Sequence, residues 1–208
     1  RRNLARFDAS GNLDAGFDPA PSGSVRALAL GPDGSLYIGG AFDTIAGERR
    51  YNLARLAPDG TLDPDWIPFT NGYVYSLATD ATGAVFVGGE YITIGGLLRT
   101  RLAKLSGTGA GLGDPDWRQD ANGIPWALAV SGTSLYVGGD FTQLASAGGS
   151  TTRSHIAKLA TSGTGEIDAN WNPAANGGVY ALAVDAGGVV FAGGGFSFIG
   201  GQVRNCCL

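Results

Sequence analysis

Hydrophobic and polar positions along this chain repeat one pattern four times. A short, almost wholly apolar stretch comes first, at 25–30, 74–79, 125–130 and 179–184. A polar turn follows. A second stretch, at 36–42, 85–91, 135–141 and 189–196, carries aliphatic or aromatic residues and then a Gly-Gly pair. The leading glycines are Gly39, Gly88, Gly138 and Gly193, so the pattern advances by 49, 50 and 55 residues. A fixed period in this range marks stacked supersecondary units. No segment shows the apolar spacing of a helix, so the elements are read as strands.

Two more strands are expected in each unit. The third covers 3–7, 52–56, 101–105 and 155–159, with the pattern polar, Leu or Ile, Ala, Arg or Lys, Leu or Phe. The fourth centres on 14–17, 63–66, 114–117 and 168–171, and ends on Phe17, Trp66, Trp117 or Trp171. Pro64 and Pro115 suit an edge strand, which places the fourth strand outermost. Asp and Gly in the turns supply the local hydrogen bond and the positive φ that hairpins need. The expected fold is therefore all-β: a β-propeller segment of four repeats of about 50 residues, with four antiparallel strands per blade. The chain reads as a single array over 1–208. Its units lie at 24–72, 73–123 and 124–177, with partial blades at 1–23 and 178–208. An open arc is expected, rather than a ring closed by residues 4–7 on the strand at 191–196.

The Gly-Gly pairs weaken a strand unless something approaches the backbone there. The aromatics Phe17, Trp66, Trp117 and Trp171 are the expected neighbours, buried against the Gly-Gly strands. Glycine, at 36 of 208 residues, recurs at fixed offsets, which argues against disorder. Net charge is −4, and the basic residues are spread through the repeat, so nucleic acid is not expected as a partner. No apolar stretch is long enough to span a membrane as a helix. The chain lacks methionine and is expected to be a fragment of a larger protein. Cys206 and Cys207 are adjacent, form no disulfide framework, and leave the compartment open.

The segments Asn-Leu-Ala-Arg-Leu, Asp-Gly-Thr-Leu-Asp, Val-x-Ala-Leu-Ala, Leu-Tyr-Ile-Gly-Gly-x-Phe and Thr-Ile-x-Gly recur in order over nearly the whole chain. They resemble the delta-sixty repeat of bacterial β-propeller proteins. The blade layout is similar to that of kelch repeats, in architecture only. The resemblance implies tandem arrays in secreted or cell-envelope proteins, hence an extracellular or envelope location and adjoining blades of the same parent protein as neighbours. It supplies no catalytic residues. Gly113, where Leu or Ile is expected, and Cys207, where Leu is expected, depart from the pattern.

Candidate chemistry is sparse. His155 is the only histidine and shares its repeat slot with Asn3, Asn52, Arg101 and Cys206, which reads as solvent-facing. Residues 8–14 alternate oxygen-bearing side chains but lack the full calcium-loop series, so a hairpin turn is expected. Residues 107–113 read as a turn, not a phosphate loop. Arg6, Arg55, Lys104 and Lys158 recur opposite Asp14, Asp63, Asp114 and Asp168. Repetition favours structural ion pairs over a catalytic pair. No catalytic residue, cofactor or metal site is expected.

One position varies while its neighbours stay fixed: Arg26, Tyr75, Trp126 and Tyr180, the second residue of each first strand. Asn71, Asn122 and Asn176 lie shortly before three of them. Aromatics with polar handles suit a sugar or a peptide at one mouth of the channel, and the preceding amides are candidate additional contacts. Packing between blades is the alternative use of the same residues. The expected function is a non-enzymatic propeller scaffold or protein-interaction module. The alternative is a lectin-like propeller binding glycans at Arg26, Tyr75, Trp126 and Tyr180. An unidentified protein or glycan is the expected partner.

Overall fold

The computed structural model describes residues 2–146 and 148–204, and these residues contain strands and turns but no helix. Each apolar stretch forms the inner strand of a unit: Ser24–Leu30, Tyr73–Thr79, Pro125–Ser131 and Val179–Val184. Each Gly-Gly stretch pairs with it antiparallel as the middle strand: Leu36–Ala41, Val85–Glu90, Ser134–Gly139 and Val190–Gly194. An outer strand follows in the first three units, at Leu53–Leu56, Leu102–Leu105 and Ile156–Ala160. Inner strands of consecutive units pack side by side. The apolar clusters lie at these seams. Tyr37, Leu53 and Trp66 of unit 1 join Val74, Leu77 and Val85 of unit 2, and Phe86, Leu102 and Trp117 join Leu135 and Val137. Stability is thus carried largely by contacts between neighbours.

The expected fourth strand is absent among the described residues. In its place stand single bridges, Leu56 to Leu62, Leu105 to Gly113 and Leu159 to Ile167. The cause is local. Asp63 Oδ1 accepts the backbone N–H groups of Asp65 and Trp66, and Asp114 does the same for Asp116 and Trp117. This Asx turn draws the chain off the ladder, and the proline inside it has no N–H to give. The turn drops the Trp into the seam. Trp66 and Trp117 are fully buried. Their indoles donate to Ser106 O and Ala160 O of the next unit, at 2.9 and 3.0 Å. Phe17 is buried in the same way against unit 1. Trp171 is only half-buried, and the described residues hold no equivalent acceptor for it.

The Gly-Gly pairs are not primarily seats for these aromatics. The Trp rings meet the aromatic residue two places earlier, as Tyr37 with Trp66 and Phe86 with Trp117, at 5.1 and 5.6 Å between ring centres. The first glycine instead receives the next unit. A methyl on Gly138 would lie 2.6 Å from Val179 Cγ1, and one on Gly88 would lie 2.9 Å from Pro125 Cβ. The second glycine lets the inner strand of its own unit bulge. A methyl on Gly40 would collide with Ser24 O, and one on Gly139 with Ile124 O.

A hairpin unforeseen as such follows each middle strand: Thr44–Ile45 with Glu48–Arg49, Thr93–Ile94 with Leu97–Leu98, Gln143–Ser146 with Gly149–Thr152, and Phe198–Ile199 with Gln202–Val203. At its tip Ala46 and Gly47 both have positive φ, as a two-residue hairpin requires. Gly113 donates its N–H to Gly95 O at the second such tip, which leaves no room for the Leu or Ile of the repeat.

The array is open. Leu4 and Phe17 pack on Ile38, Ala54 and Leu56 of unit 1. Among the described residues the strand Val190–Gly194 pairs only with Val179–Val184. Cys206 and Cys207 lie outside the described residues.

Candidate functional site

The four variable residues share one structural cause. In every unit the ladder between inner and middle strand skips a residue: Val25 faces Gly40 and Ala27 faces Gly39, leaving Arg26 over. Tyr75, Trp126 and Tyr180 are the extra residue in the same way. A bulge bends the strand and re-aims its unpaired side chain. The second glycine of each Gly-Gly pair makes room for that bulge, so the motif found in the sequence and the variable position form one device.

The structure brings the four together in a row across the seams. The Arg26 guanidinium lies over the Tyr75 ring at 4.7 Å. Tyr75 and Trp126 are 4.6 Å apart and tilted, and Trp126 meets Tyr180 edge-on at 6.4 Å. Tyr75 and Trp126 are half-buried, while Arg26 and Tyr180 are exposed. The row therefore ties units together and also keeps ring surface in solvent.

Sequence reasoning missed two members. Tyr75 Oη donates to Glu90 Oε2 at 3.3 Å, and Trp126 Nε1 donates to Asp140 Oδ2. Glu90 and Asp140 immediately follow the Gly-Gly pairs and are exposed. Ala41 and Gly195 hold that place in the outer units. The signal was present: an acid stands there only in the two units whose row residue is both aromatic and internal. Burial first, together with Glu90, raises the Tyr75 phenol above its usual range, while Arg26 acts the other way. Tyr75 stays neutral near pH 7 and donates.

The asparagines do not belong to the row. Asn71 Oδ1 accepts from Ile92 and Thr93 N–H, Asn122 Oδ1 from Thr142 and Gln143, and Asn176 Oδ1 from Ser197 and Phe198. They cap the small hairpins, and their carbonyls are already engaged.

Elsewhere the charges are structural. Arg55 pairs with Asp63 and, at 2.6 Å, with Asp33; Lys104 pairs with Asp114 and Lys158 with Asp168, both at 2.9 Å. The Lys158 ammonium holds the Asp168 carboxyl below the usual range. Burial raises Asp63, but the N–H of Asp65 and the Arg55 guanidinium outweigh it, so Asp63 too lies low. The His155 slot is not simply solvent-facing. Asn3, Asn52, Arg101 and His155 all have left-handed φ, from 58° to 67°, which starts the outer strand with a kink. His155 is half-buried, with Nδ1 3.2 Å from Gly139 O. Asp8 accepts from Ser10 and Asn12, closing its own turn. Among the described residues no group of three or more acidic, His or Cys side chains is placed to hold a metal ion. Among the described residues no helix is long and apolar enough to cross a membrane.

Comparison with known proteins supports the fold. The model of a β-propeller domain of unknown function (DUF5122) matches residues 31–65. That stretch spans the turn, middle strand, hairpin, outer strand and Asx turn of unit 1. No curated protein matches the chain at a significant level. Among solved structures, a gluconolactonase from Xanthomonas campestris is similar over 93% of this chain, with 17% identity and a TM-score of 0.58. The extracellular domain of a putative one-component system from B. thetaiotaomicron is similar over 92%, with 16% identity and a TM-score of 0.54. This chain spans 63% of the first and 22% of the second. These likenesses support a β-propeller family; they do not extend to the delta-sixty or kelch names. The expectation that the chain is not an enzyme is corrected by the first of them. A hydrolase is built on a similar arrangement of strands, so the fold gives no ground for excluding catalysis.

Proposed function

We propose that this chain is a ligand-binding segment of a β-propeller, and that its ligand class is a carbohydrate or similar polyol. The platform is the row Arg26, Tyr75, Trp126 and Tyr180 with the carboxylates Glu90 and Asp140. One observation carries the reading: a half-buried indole, Trp126, whose N–H is held by an exposed carboxylate, Asp140. Tyr75 with Glu90 repeats the arrangement in the neighbouring unit. An aromatic surface suits the C–H face of a sugar ring. A carboxylate has about four lone-pair sites, so each acid keeps acceptors for ligand hydroxyls after taking one hydrogen bond. An extracellular or envelope setting, with further blades adjoining, goes with this reading; the likeness to an extracellular domain supports it.

A glycan array on the purified chain, followed by titration of the best hit, tests the proposal. Trp126→Ala should weaken binding at least about tenfold, or roughly 1.4 kcal/mol, with the circular dichroism unchanged. Binding of no glycan, or equal binding by the variant, refutes it. The second reading is hydrolysis of a sugar lactone, favoured by the gluconolactonase likeness. Acid release from gluconolactone, measured against a heat-denatured control, tests that reading separately.

A further inference from the structure

The row of ring side chains is not electrically uniform along its length. At one end the Arg26 guanidinium lies 4.7 Å from the centre of the Tyr75 ring and 5.7 Å from that of Tyr73. The first row position thus sets the chain's own cation on rings of the next unit. Glu90, the partner of Tyr75, shares a cleft with Asn71, Thr100 and Arg101, so a second fixed cation stands near it.

Asp140 is differently placed. Asp14, Asp33, Asp63, Asp114 and Asp168 each meet an arginine or a lysine. Among the described residues Asp140 meets neither, and it is exposed. His155, on the neighbouring outer strand, turns its Nδ1 to Gly139 O at 3.2 Å. Asp140 is fixed at the internal seam between units 3 and 4. Trp126 Nε1 donates to its Oδ2. Its Oδ1 lies against Gly178 of the next unit, where a methyl would meet it at 2.4 Å. The same methyl would meet Cε1 and Cζ of the Tyr180 ring at 2.6 Å. The free carboxylate oxygen and the Tyr180 ring therefore border one point, and the Trp126 ring stands 6.4 Å from that of Tyr180. Ser24, Tyr73 and Ile124 hold the place of Gly178 in the other units. A side chain there would displace the carboxylate, so glycine at this one seam is what admits it.

A carboxylate oxygen with open lone pairs beside two electron-rich rings is complementary to a compact cation that carries N–H groups. The ring quadrupoles attract the charge, Trp most strongly, and the carboxylate takes a charge-assisted hydrogen bond. A neutral hydroxyl can donate to the same oxygen but draws nothing from the quadrupoles. We propose, resting on the carbohydrate reading of the row, that its ligand is an amino sugar, with the protonated amine at Asp140 Oδ1 beside Trp126 and Tyr180 and the sugar extending along the row towards Tyr75. Charge sets this orientation. Arg26 and Arg101 repel an ammonium group from the Tyr75 end and leave Asp140 as the acid that receives it.

Isothermal titration calorimetry with the trimers of glucosamine, N-acetylglucosamine and glucose tests this, with trilysine as a charge control. The glucosamine trimer should bind at least about tenfold more tightly than either neutral trimer. Asp140→Asn keeps a carbonyl for the Trp126 N–H and should cut that ratio to about threefold or less. Asp116→Asn removes the same charge from an exposed turn away from the row and should leave the ratio in place. Neutral trimers that bind as well as the glucosamine trimer overturn this inference and leave the carbohydrate reading standing. Failure of every trimer to bind overturns both. Equal binding of trilysine means that charge alone is read, which overturns the assignment to a sugar. A ratio that survives Asp140→Asn, or is lost in Asp116→Asn, overturns the placement of the amine.

Discussion

Alanine at Gly138 and alanine at Gly193 are the same change at the same repeat position, and the structure gives them opposite consequences. At Gly138 the new methyl would stand 2.6 Å from Val179 Cγ1 and 3.1 Å from Val179 O. Both atoms belong to the inner strand of the next unit, so relief requires two packed sheets to separate. Overpacking of this kind costs about 1–3 kcal/mol. The higher strand preference of alanine returns about 0.5–1 kcal/mol, so the net loss is at most about 2.5 kcal/mol. At Gly193, among the described residues, only Ala181 Cβ lies within reach, at 3.8 Å. There only the preference acts, and stability should rise by about 0.5–1 kcal/mol. The preference is common to both variants, so they should differ by the overpacking cost alone, about 1–3 kcal/mol. Equilibrium urea unfolding followed by tryptophan fluorescence reads this out. With a slope of about 2–3 kcal/mol per M, the two midpoints should be about 0.3–1.5 M apart, Gly138→Ala the lower. Equal midpoints, or a stable Gly138→Ala beside a damaged Gly193→Ala, would refute the socket account of the Gly-Gly pairs.

Two further expectations follow from the seams and the ion pairs. Trp117→Ala should cost about 3–5 kcal/mol, since it empties a fully buried site and orphans Ala160 O, while Trp171→Ala should cost clearly less; equal losses in the same urea assay would contradict the difference in burial. Asp8, Asp14, Asp33, Asp59, Asp63, Asp114 and Asp168 are all held below the ordinary carboxylate value of 3.8. A lowered folded value means stability that is fully present above 3.8 and is lost as pH falls through the folded values. Urea midpoints should thus be flat from neutral pH to about pH 5 and fall below about pH 4, whereas a midpoint that rises on acidification would oppose the assignment.

The repeat, the inner and middle strands and the ion pairs were legible because each follows from spacing and residue type along the chain. The expected outer pairs Arg55 with Asp63 and Lys104 with Asp114 are present. The fourth strand was misread because Asp63-Pro64-Asp65-Trp66 alternates like a half-buried strand. Its alternation has another cause, an Asx turn that points Asp63 back at the chain and Trp66 into the seam. The Gly-Gly pairs announced a close approach but not its source, since Val179 approaches Gly138 from 41 residues away. The row residues were found by their variability. Their bulge was not, because a period-two reading has no place for an extra residue. Glu90 and Asp140 emerged only when the bulge set them beside Tyr75 and Trp126.

The central claim is that the row, not the buried seams, meets the ligand, and indole N–H resonances test it most directly. The chain has four tryptophans: Trp66, Trp117, Trp126 and Trp171. In a proton–nitrogen correlation spectrum titrated with the glycan selected on the array, the Trp126 indole signal should shift and saturate as its Asp140 partner is shared with the sugar. Those of Trp66 and Trp117, bonded to backbone carbonyls inside the seams, should stay in place. A static Trp126 signal at saturating ligand, or shifts confined to Trp66 and Trp117, would contradict the account.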